Sequence, residues 1–469
     1  MTVQDILSNE ELRQWEFPVT RDKIFLAHAA VCPLSRRVSE AVAHYSLNAC
    51  GDDQETGMLE GFMNDSRGVA AQLLNCKSEE IAFVGPTSLG LSFIAAGLPV
   101  RKRDNILICF DDYPSNVYPW MKLAERGVEV RLMNMKHWGH LRSVDIMGQV
   151  DENTRAVVMA SCHFVTGYRL EIEKIGRYLR QRGIIFGIDG IQTLGAFPTT
   201  VEFVDFLAAD AHKWLLGPCA AGVLYVRREL ISKIEPPVYG WHNVRCPNFV
   251  AQEQIVLRED ARRFEAGSHS LLGVVGLRAA MELALEVGVD SIGRELLRKR
   301  SWLVPALQAK GYTVLNADAK AENASGIVTF FKPGADMGAI HAKLTENKVV
   351  ASLRVDRAGQ RYLRFSPHYY NTDAELQRAV ELVGGAVVGQ ASRLSGCAHD
   401  GKSTPQVVRT PHRTGRMPVP LRKADANHAA TTFARERSES ARWPCGARSG
   451  WRCRKRCRQL NGGRGWSWR

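Results

Sequence analysis

The sequence predicts an α/β protein, with a large domain on a mostly parallel seven-stranded sheet and a smaller α+β domain after it. Two observations carry this. From Ile81 to Val226, seven short apolar runs (IAFVG, NILICF, EVRLMN, RAVVMAS, IIFGID, FLAAD and GVLYV) alternate with amphipathic helical patterns. Strands apolar along their whole length are those buried on both faces by crossover helices. After the loop PPVYGWHNVRCPN the pattern changes to long helices over 271–287 and 289–310 and short strand-like runs, GIVTFF and RYLRFS, as in a separate α+β layer.

Within the first region the helical patterns fall at 65–74, 116–126 and 171–182. The pattern shifts divide the 469 residues into an N-terminal segment packing on the small domain (1–20), a large domain (21–265), a small domain (266–390) and a tail (391–469). At this length one small core is too little, and two or more domains are expected.

The formal charge of +13 is unevenly spread. Of 62 Lys and Arg, 18 lie in 391–469, against 4 of the 49 Asp and Glu, so the body before the tail stands at −1. The tail has no apolar periodicity and is expected to be disordered; its runs WRCRKRCR and GRGWSWR read more like a shifted reading frame than a selected segment. A nucleic-acid-binding protein working through this tail is the rival reading, since basic tails bind phosphate backbones without sequence preference. A neutral body offers no second basic surface, so this ranks below an enzyme.

The opening MTVQDILSNEELRQ is acidic without a long apolar run, unlike a signal or transit peptide, so a cytoplasmic location is expected. The most apolar window, 81–100, is interrupted by Gly85, Pro86 and Pro99, which argues against a membrane span. Eleven cysteines without paired spacing in the body read as reduced thiols, most of them core residues. Cys445, Cys453 and Cys457 lack the spacing and neighbouring histidines of a four-ligand metal site, and no metal is assigned.

Three segments carry candidate chemistry. In IIFGIDGIQTLGAF, Asp189 directly follows a buried strand, and ligands of open parallel sheets bind at the carboxyl ends of strands. By itself such an acid is more simply a helix cap or an ion pair. Lys213 lies just past the run FLAAD in FLAADAHKWLLGP, where loss of water lowers a lysine's pKa and frees it for imine chemistry. In FVGPTSLGLSFIAAGL a strand and a small-residue turn with Thr87 and Ser88 lead into a helix, whose first N–H groups suit a phosphate.

Together, DGIQTLG followed by ADAHKWLLGP closely resembles the signature of the class V aminotransferases, fold-type-I enzymes that use pyridoxal 5'-phosphate (PLP) and include cysteine desulfurases, isopenicillin N epimerases and kynureninases. The resemblance runs from FLAHAAVCPLS at Phe25 to RFSPHYYNT ending at Thr372. It implies that Lys213 forms the Schiff base with the cofactor, Asp189 pairs with the pyridine nitrogen and Gln192 reaches the ring hydroxyl. It also implies that Thr87, the Ser88 amide and His212 hold the phosphate, and that Tyr113 of DDYPSNVYPW stacks on the ring. RFEAGSHS resembles the family's Glu-x-Gly-Thr loop, so Ser268 would touch the phosphate bound in a neighbouring subunit, implying a homodimer with shared sites. Arg364 of YLRFSPHYYNT matches the arginine that pairs with the α-carboxylate of an amino-acid substrate. The activity implied is a class V aminotransferase, or an epimerase or C–S/β-eliminating lyase of the same family.

Three positions depart from desulfurases: Asp210 stands in place of a phosphate-binding serine, Phe164 in place of an asparagine, and no cysteine occurs between Cys246 and Cys397. The persulfide-forming thiol is therefore missing, and sulfur transfer by that route is disfavoured.

Overall fold

The structure is a computed structural model and describes residues 1–384 apart from 56, 57, 59, 60 and 136; the tail at 391–469 lies outside the described residues. A two-residue strand, β1 (Ile24–Phe25), comes first. All seven apolar runs then form strands: β2 (Ile81–Val84), β3 (Asn105–Ile108), β4 (Glu129–Leu132), β5 (Thr154–Ala160), β6 (Ile185–Asp189), β7 (Phe206–Asp210) and β8 (Gly222–Val226). They make one sheet in the order β2-β8-β7-β6-β5-β3-β4. Pairing is parallel from β4 to β7, and β8 runs antiparallel to both its neighbours.

Alternate residues of these strands enter separate cores on the two faces, as a pleated strand requires. Leu107, Val157, Ile188 and Leu207 face one core, and Ile106, Val158, Phe206 and Ala208 the other. With both faces covered, the polar strand-end residues are left at the sheet's carboxyl edge.

The helical patterns at 65–74 and 171–182 appear as Phe62–Leu74 and Ile172–Gln181. That at 116–126 is instead broken into Pro114–Asn116, Tyr118–Met121 and Lys122–Arg126, only the middle piece α-helical. Pro119 supplies no N–H for a continuing helix, and Val117 (φ −122°, ψ −58°) is off the helical geometry. The helix Thr87–Gly97 follows β2 and lies so close to the sheet that a Cβ on Gly90 would sit 3.1 Å from that of Ala208.

Helices Leu271–Val287 and Val289–Gln308 follow, then an antiparallel sheet of β9 (Thr313–Val314), β10 (Val328–Phe331), β12 (Ser352–Val355) and β13 (Arg361–Phe365) in the order β12-β13-β10-β9. The short β11 (Val349–Val350) pairs in parallel with β1. The N-terminal residues pack against this later part of the chain: Phe17 stacks on Tyr370 with centroids 4.2 Å apart, and Arg13 pairs with Glu375 at 2.9 Å. Among the described residues no helix is long and apolar enough to cross a membrane. Of the seven cysteines described, only Cys109 and Cys162 are buried, fewer than the composition led us to expect.

A buried charge pair ties the loop after Phe264 to β2. Arg67 donates to both oxygens of Glu265 at 2.9 and 2.8 Å, and the Phe83 N–H donates to the same carboxylate at 2.7 Å. His242 and His269 stand 3.8 and 3.3 Å from it. Removing one partner of such a pair leaves an uncompensated charge out of water, so Arg67→Leu is expected to destabilise the protein by about 3–5 kcal/mol. Denaturant titration against wild type checks this; a shift below about 1 kcal/mol would mean that the pair is dispensable.

Candidate active site

The site grows from the carboxyl ends of β6 and β7, neighbours in parallel register with Asp189 beside Ala208. Asp189 closes β6, and its Oδ1 accepts the Ile191 N–H at 3.1 Å as the chain turns away. Beyond β7 the chain makes a tight turn in which the Lys213 and Gly217 N–H groups both donate to the Ala211 carbonyl, at 2.9 and 3.0 Å. Glycine is required at 217 by crowding, since a Cβ there would stand 2.6 Å from that of Ala211. This turn directs Lys213 back over the sheet edge.

A cavity of about 310 Å³ opens at this edge, lined by Thr87, Ser88, Tyr113, Asp189, His212 and Lys213, with Phe164 and Arg354 among the remaining walls. Six of the nine residues singled out from the sequence thus share one cavity. The Lys213 amine lies 5.4 Å from the centroid of the Tyr113 ring, which meets Phe164 edge-on at 5.3 Å. The Lys213 side-chain amine makes no hydrogen bond to any described residue. Burial lowers its pKa from 10.5 to about 8, against the opposing pull of Asp189. Burial raises the pKa of Asp189, with Lys213 opposing that shift.

Thr87 and Ser88 begin the helix Thr87–Gly97, whose first-turn N–H groups have no helical acceptors. The Thr87 hydroxyl accepts the Asp210 N–H at 3.0 Å, which leaves its own proton to donate. The Asp210 carboxylate does not line the cavity; it accepts the Ala220 N–H at 3.0 Å and lies 3.0 Å from His212 Nδ1. His212 therefore stands between that carboxylate and the cavity.

The other three expected residues lie elsewhere. Gln192 is buried behind the wall, donating to the Ala29 carbonyl at 3.1 Å and accepting from the Trp214 indole at 2.9 Å. Arg364 is fully buried behind Phe164, whose carbonyl accepts from its Nη1, while its Nη2 donates to Ser352 Oγ at 3.3 Å. Ser268 is exposed and lines other cavities. Arg354 on β12 was not singled out from the sequence, yet it reaches the cavity.

The family model for class V aminotransferases matches residues 24–379. The chain belongs to the class V aminotransferase family. A probable cysteine desulfurase of Methanothermobacter thermautotrophicus is 27% identical over 392 residues, covering 79% of this chain and 96% of that protein. An uncharacterized aminotransferase of Bacillus subtilis is 25% identical over 376 residues, covering 79% and 96%. Among solved structures, the cysteine desulfurase of Thermococcus onnurineus superposes with a TM-score of 0.73 at 24% identity, over 80% of this chain and 97% of the other. The cystine C-S lyase C-DES superposes with a TM-score of 0.70 at 20% identity, over 78% and 99%. These likenesses establish fold type I, and the family uses PLP.

The residues present fit that cofactor. The cavity joins a buried carboxylate suited to a pyridinium, a desolvated amine suited to an aldehyde, and a helix N-terminus with a hydroxyl and an imidazole suited to a phosphate.

A pKa near 8 leaves roughly a tenth of the Lys213 amine as free base at pH 7, against roughly one part in 3,000 for an ordinary lysine. Because the folded value is the lower, the destabilisation from burying this amine is full below pH 8 and is relieved as pH rises toward 10.5. In protein freed of cofactor, arylation of Lys213 by trinitrobenzenesulfonate, followed by peptide mass spectrometry, should rise with a midpoint near pH 8. A midpoint above pH 10 would mean that the amine is not desolvated.

Proposed function

We propose that this protein is a PLP-dependent enzyme acting at the α-carbon of an amino acid, with transamination as its reaction. The observation that carries the reading is the meeting of Lys213, Asp189, His212, Thr87 and Ser88 on one cavity at the carboxyl edge of the sheet. When bound, PLP would draw electrons from the α-carbon of the attached amino acid.

Asp189 would hold the pyridine nitrogen protonated, a cation that returns the buried carboxylate to its charged form. The Thr87 hydroxyl, the Ser88 amide and His212 would take the phosphate. Asp210, 3.0 Å from His212 Nδ1, would act through His212 by holding the imidazole in place. Tyr113 would cover one face of the cofactor ring. Gln192 keeps one amide proton beyond its bond to Ala29 and would direct it to the ring hydroxyl. Arg364 would pair with the substrate's α-carboxylate. Ser268 lies on cavities that do not include Lys213, which is consistent with the homodimer implied by the resemblance of RFEAGSHS, in which it would touch a phosphate bound by a second copy.

Lys213, displaced by the amino acid, would take the α-proton as a neutral amine and return it elsewhere. A pKa near the working pH suits both directions of that transfer.

A second reading, C–S bond cleavage by β-elimination, is favoured by the relatives named desulfurases. A protein-bound persulfide has little support. No cysteine stands between Cys246 and Cys397, and Cys32, next to the cavity residue Val31, has its thiol pushed up to about 12 by burial.

Two experiments test these readings. Borohydride reduction of PLP-loaded wild type should fix a pyridoxyl group on Lys213, and Lys213→Ala should carry none after dialysis; a fixed group at another lysine would refute the assignment. Wild type should release sulfide from cysteine slowly and without forming an alkylatable persulfide, while a panel of amino acids is followed for keto acid, ammonia and loss of chirality. Rapid sulfide release through a trapped enzyme persulfide would overturn the argument against the desulfurase route.

A further inference from the structure

The cavity around Lys213 contains more positive charge than the proposed reaction uses. Ser352 on β12 is paired with Arg364 on β13, and Arg354 with Tyr362. Residues 352 and 354 of one strand share a face, so Arg354 and Arg364 project from the same face of the sheet as diagonal neighbours, a spacing within reach for long side chains. Both lie close enough to Lys213 to disfavour its charged form.

Arg364 is held by the Phe164 carbonyl and Ser352. Arg354 has no such anchorage: its guanidinium makes no hydrogen bond or ion pair with any described residue, and its Nε, like that of Arg364, is buried without a partner. Nevertheless it is a wall of the cavity that holds Lys213. Two guanidinium groups on one face with no acid between them repel, and burying such a charge is costly unless an anion joins it.

The cofactor does not balance this charge, since its phosphate is assigned to Thr87, Ser88 and His212 and its ring nitrogen to Asp189. On the reading proposed above, an α-carboxylate would balance Arg364. One planar, two-pronged donor facing the cavity is left over, and such a donor matches a carboxylate, sulfinate or phosphate.

We propose that Arg354 is a specificity-determining residue that pairs with an anionic group on the substrate's side chain, so that the substrate is an α-amino acid with a second negative charge. The inference rests on the reading of Lys213 as the cofactor-bearing residue. It also accounts for the exposed Tyr113 and the apolar Phe164, which would let the hydrocarbon part of the side chain pass between cofactor and arginine.

Holoenzyme prepared with PLP tests it in two ways. Turnover is compared for glutamate against glutamine, aspartate against asparagine, and phosphoserine against serine. The acidic member of at least one pair should be preferred on the order of 100-fold in kcat/KM, and Arg354→Gln should reduce that preference to a few-fold, with Arg354→Lys recovering part of it. Binding of glutarate, measured by calorimetry and needing no turnover, should weaken on the order of 10-fold or more in Arg354→Gln, while the neutral glutaramide binds neither protein.

Equal kcat/KM for acid and amide throughout the panel would overturn the proposal. So would an Arg354→Gln that lowers both members of a pair equally, because the arginine would then serve the α-carboxylate common to all amino acids. Borohydride fixation of PLP on Lys213, scored on the same preparations, separates either failure from a failure of the cofactor assignment.

Discussion

The site depends on holding an acid and a base out of water at the ends of two adjacent strands. Alone, each would be driven to its neutral form: burial raises the pKa of Asp189 and lowers that of Lys213. Each charge offsets part of the other's penalty, and the balance leaves Lys213 close to neutral pH. That balance needs β6 and β7 side by side, in parallel, with no room for water beneath. The packing meets this demand closely: a Cβ on Gly187 of β6 would fall 1.9 Å from the Phe206 ring of β7. The apolar character of these strands and the electrostatics of the site are thus one constraint.

Asp210 illustrates how a residue unfavourable by sequence becomes workable by orientation. A carboxylate next to a phosphate site would repel the ligand. Here the side chain turns toward the Ala220 N–H and His212, while its own N–H engages the Thr87 hydroxyl oxygen. The negative charge is thereby aimed at the imidazole and away from the cavity. The Thr87 hydroxyl oxygen accepts from the backbone, so its own proton is left free to donate.

The strands were legible because burial on both faces gives a contiguous apolar run, a signal needing no knowledge of partners. The placement of Asp189 and Lys213 was legible for the same reason, since both sit where such runs stop. The helix expected over 116–126 failed because apolar spacing was weighed above Pro119, which cannot continue the hydrogen-bonded ladder. Gln192 and Arg364 were read as facing the ligand, but their atoms first satisfy Ala29, Trp214, Phe164 and Ser352. Arg354 was overlooked altogether. In SLRV it looks like any polar residue of a half-exposed strand, and only its alignment with β13 turns it to the side that Arg364 occupies. The alternation of Ser352 and Arg354 was the available signal, but strand pairing in a small antiparallel sheet is set by tertiary contacts that a single sequence does not record.

The two sheets also divide the proposed chemistry. The large sheet supplies Asp189 and Lys213 from strand ends whose surroundings are fixed by core packing, so the groups that would serve the cofactor have little freedom to change. The small sheet supplies Arg354 and Arg364 from β12 and β13, where Val355 is exposed and Leu353 and Arg354 are half-buried. A substitution at 354 disturbs no hydrogen bond and no apolar core, whereas one at 364 leaves the Phe164 carbonyl and Ser352 without a donor. On the proposed reading, selectivity for the side chain could therefore vary at 354 while an α-carboxylate contact at 364 and the cofactor contacts persisted. On that reading, one cofactor site could serve amino acids of different charge, with the choice made on a strand outside the sheet that carries Asp189 and Lys213.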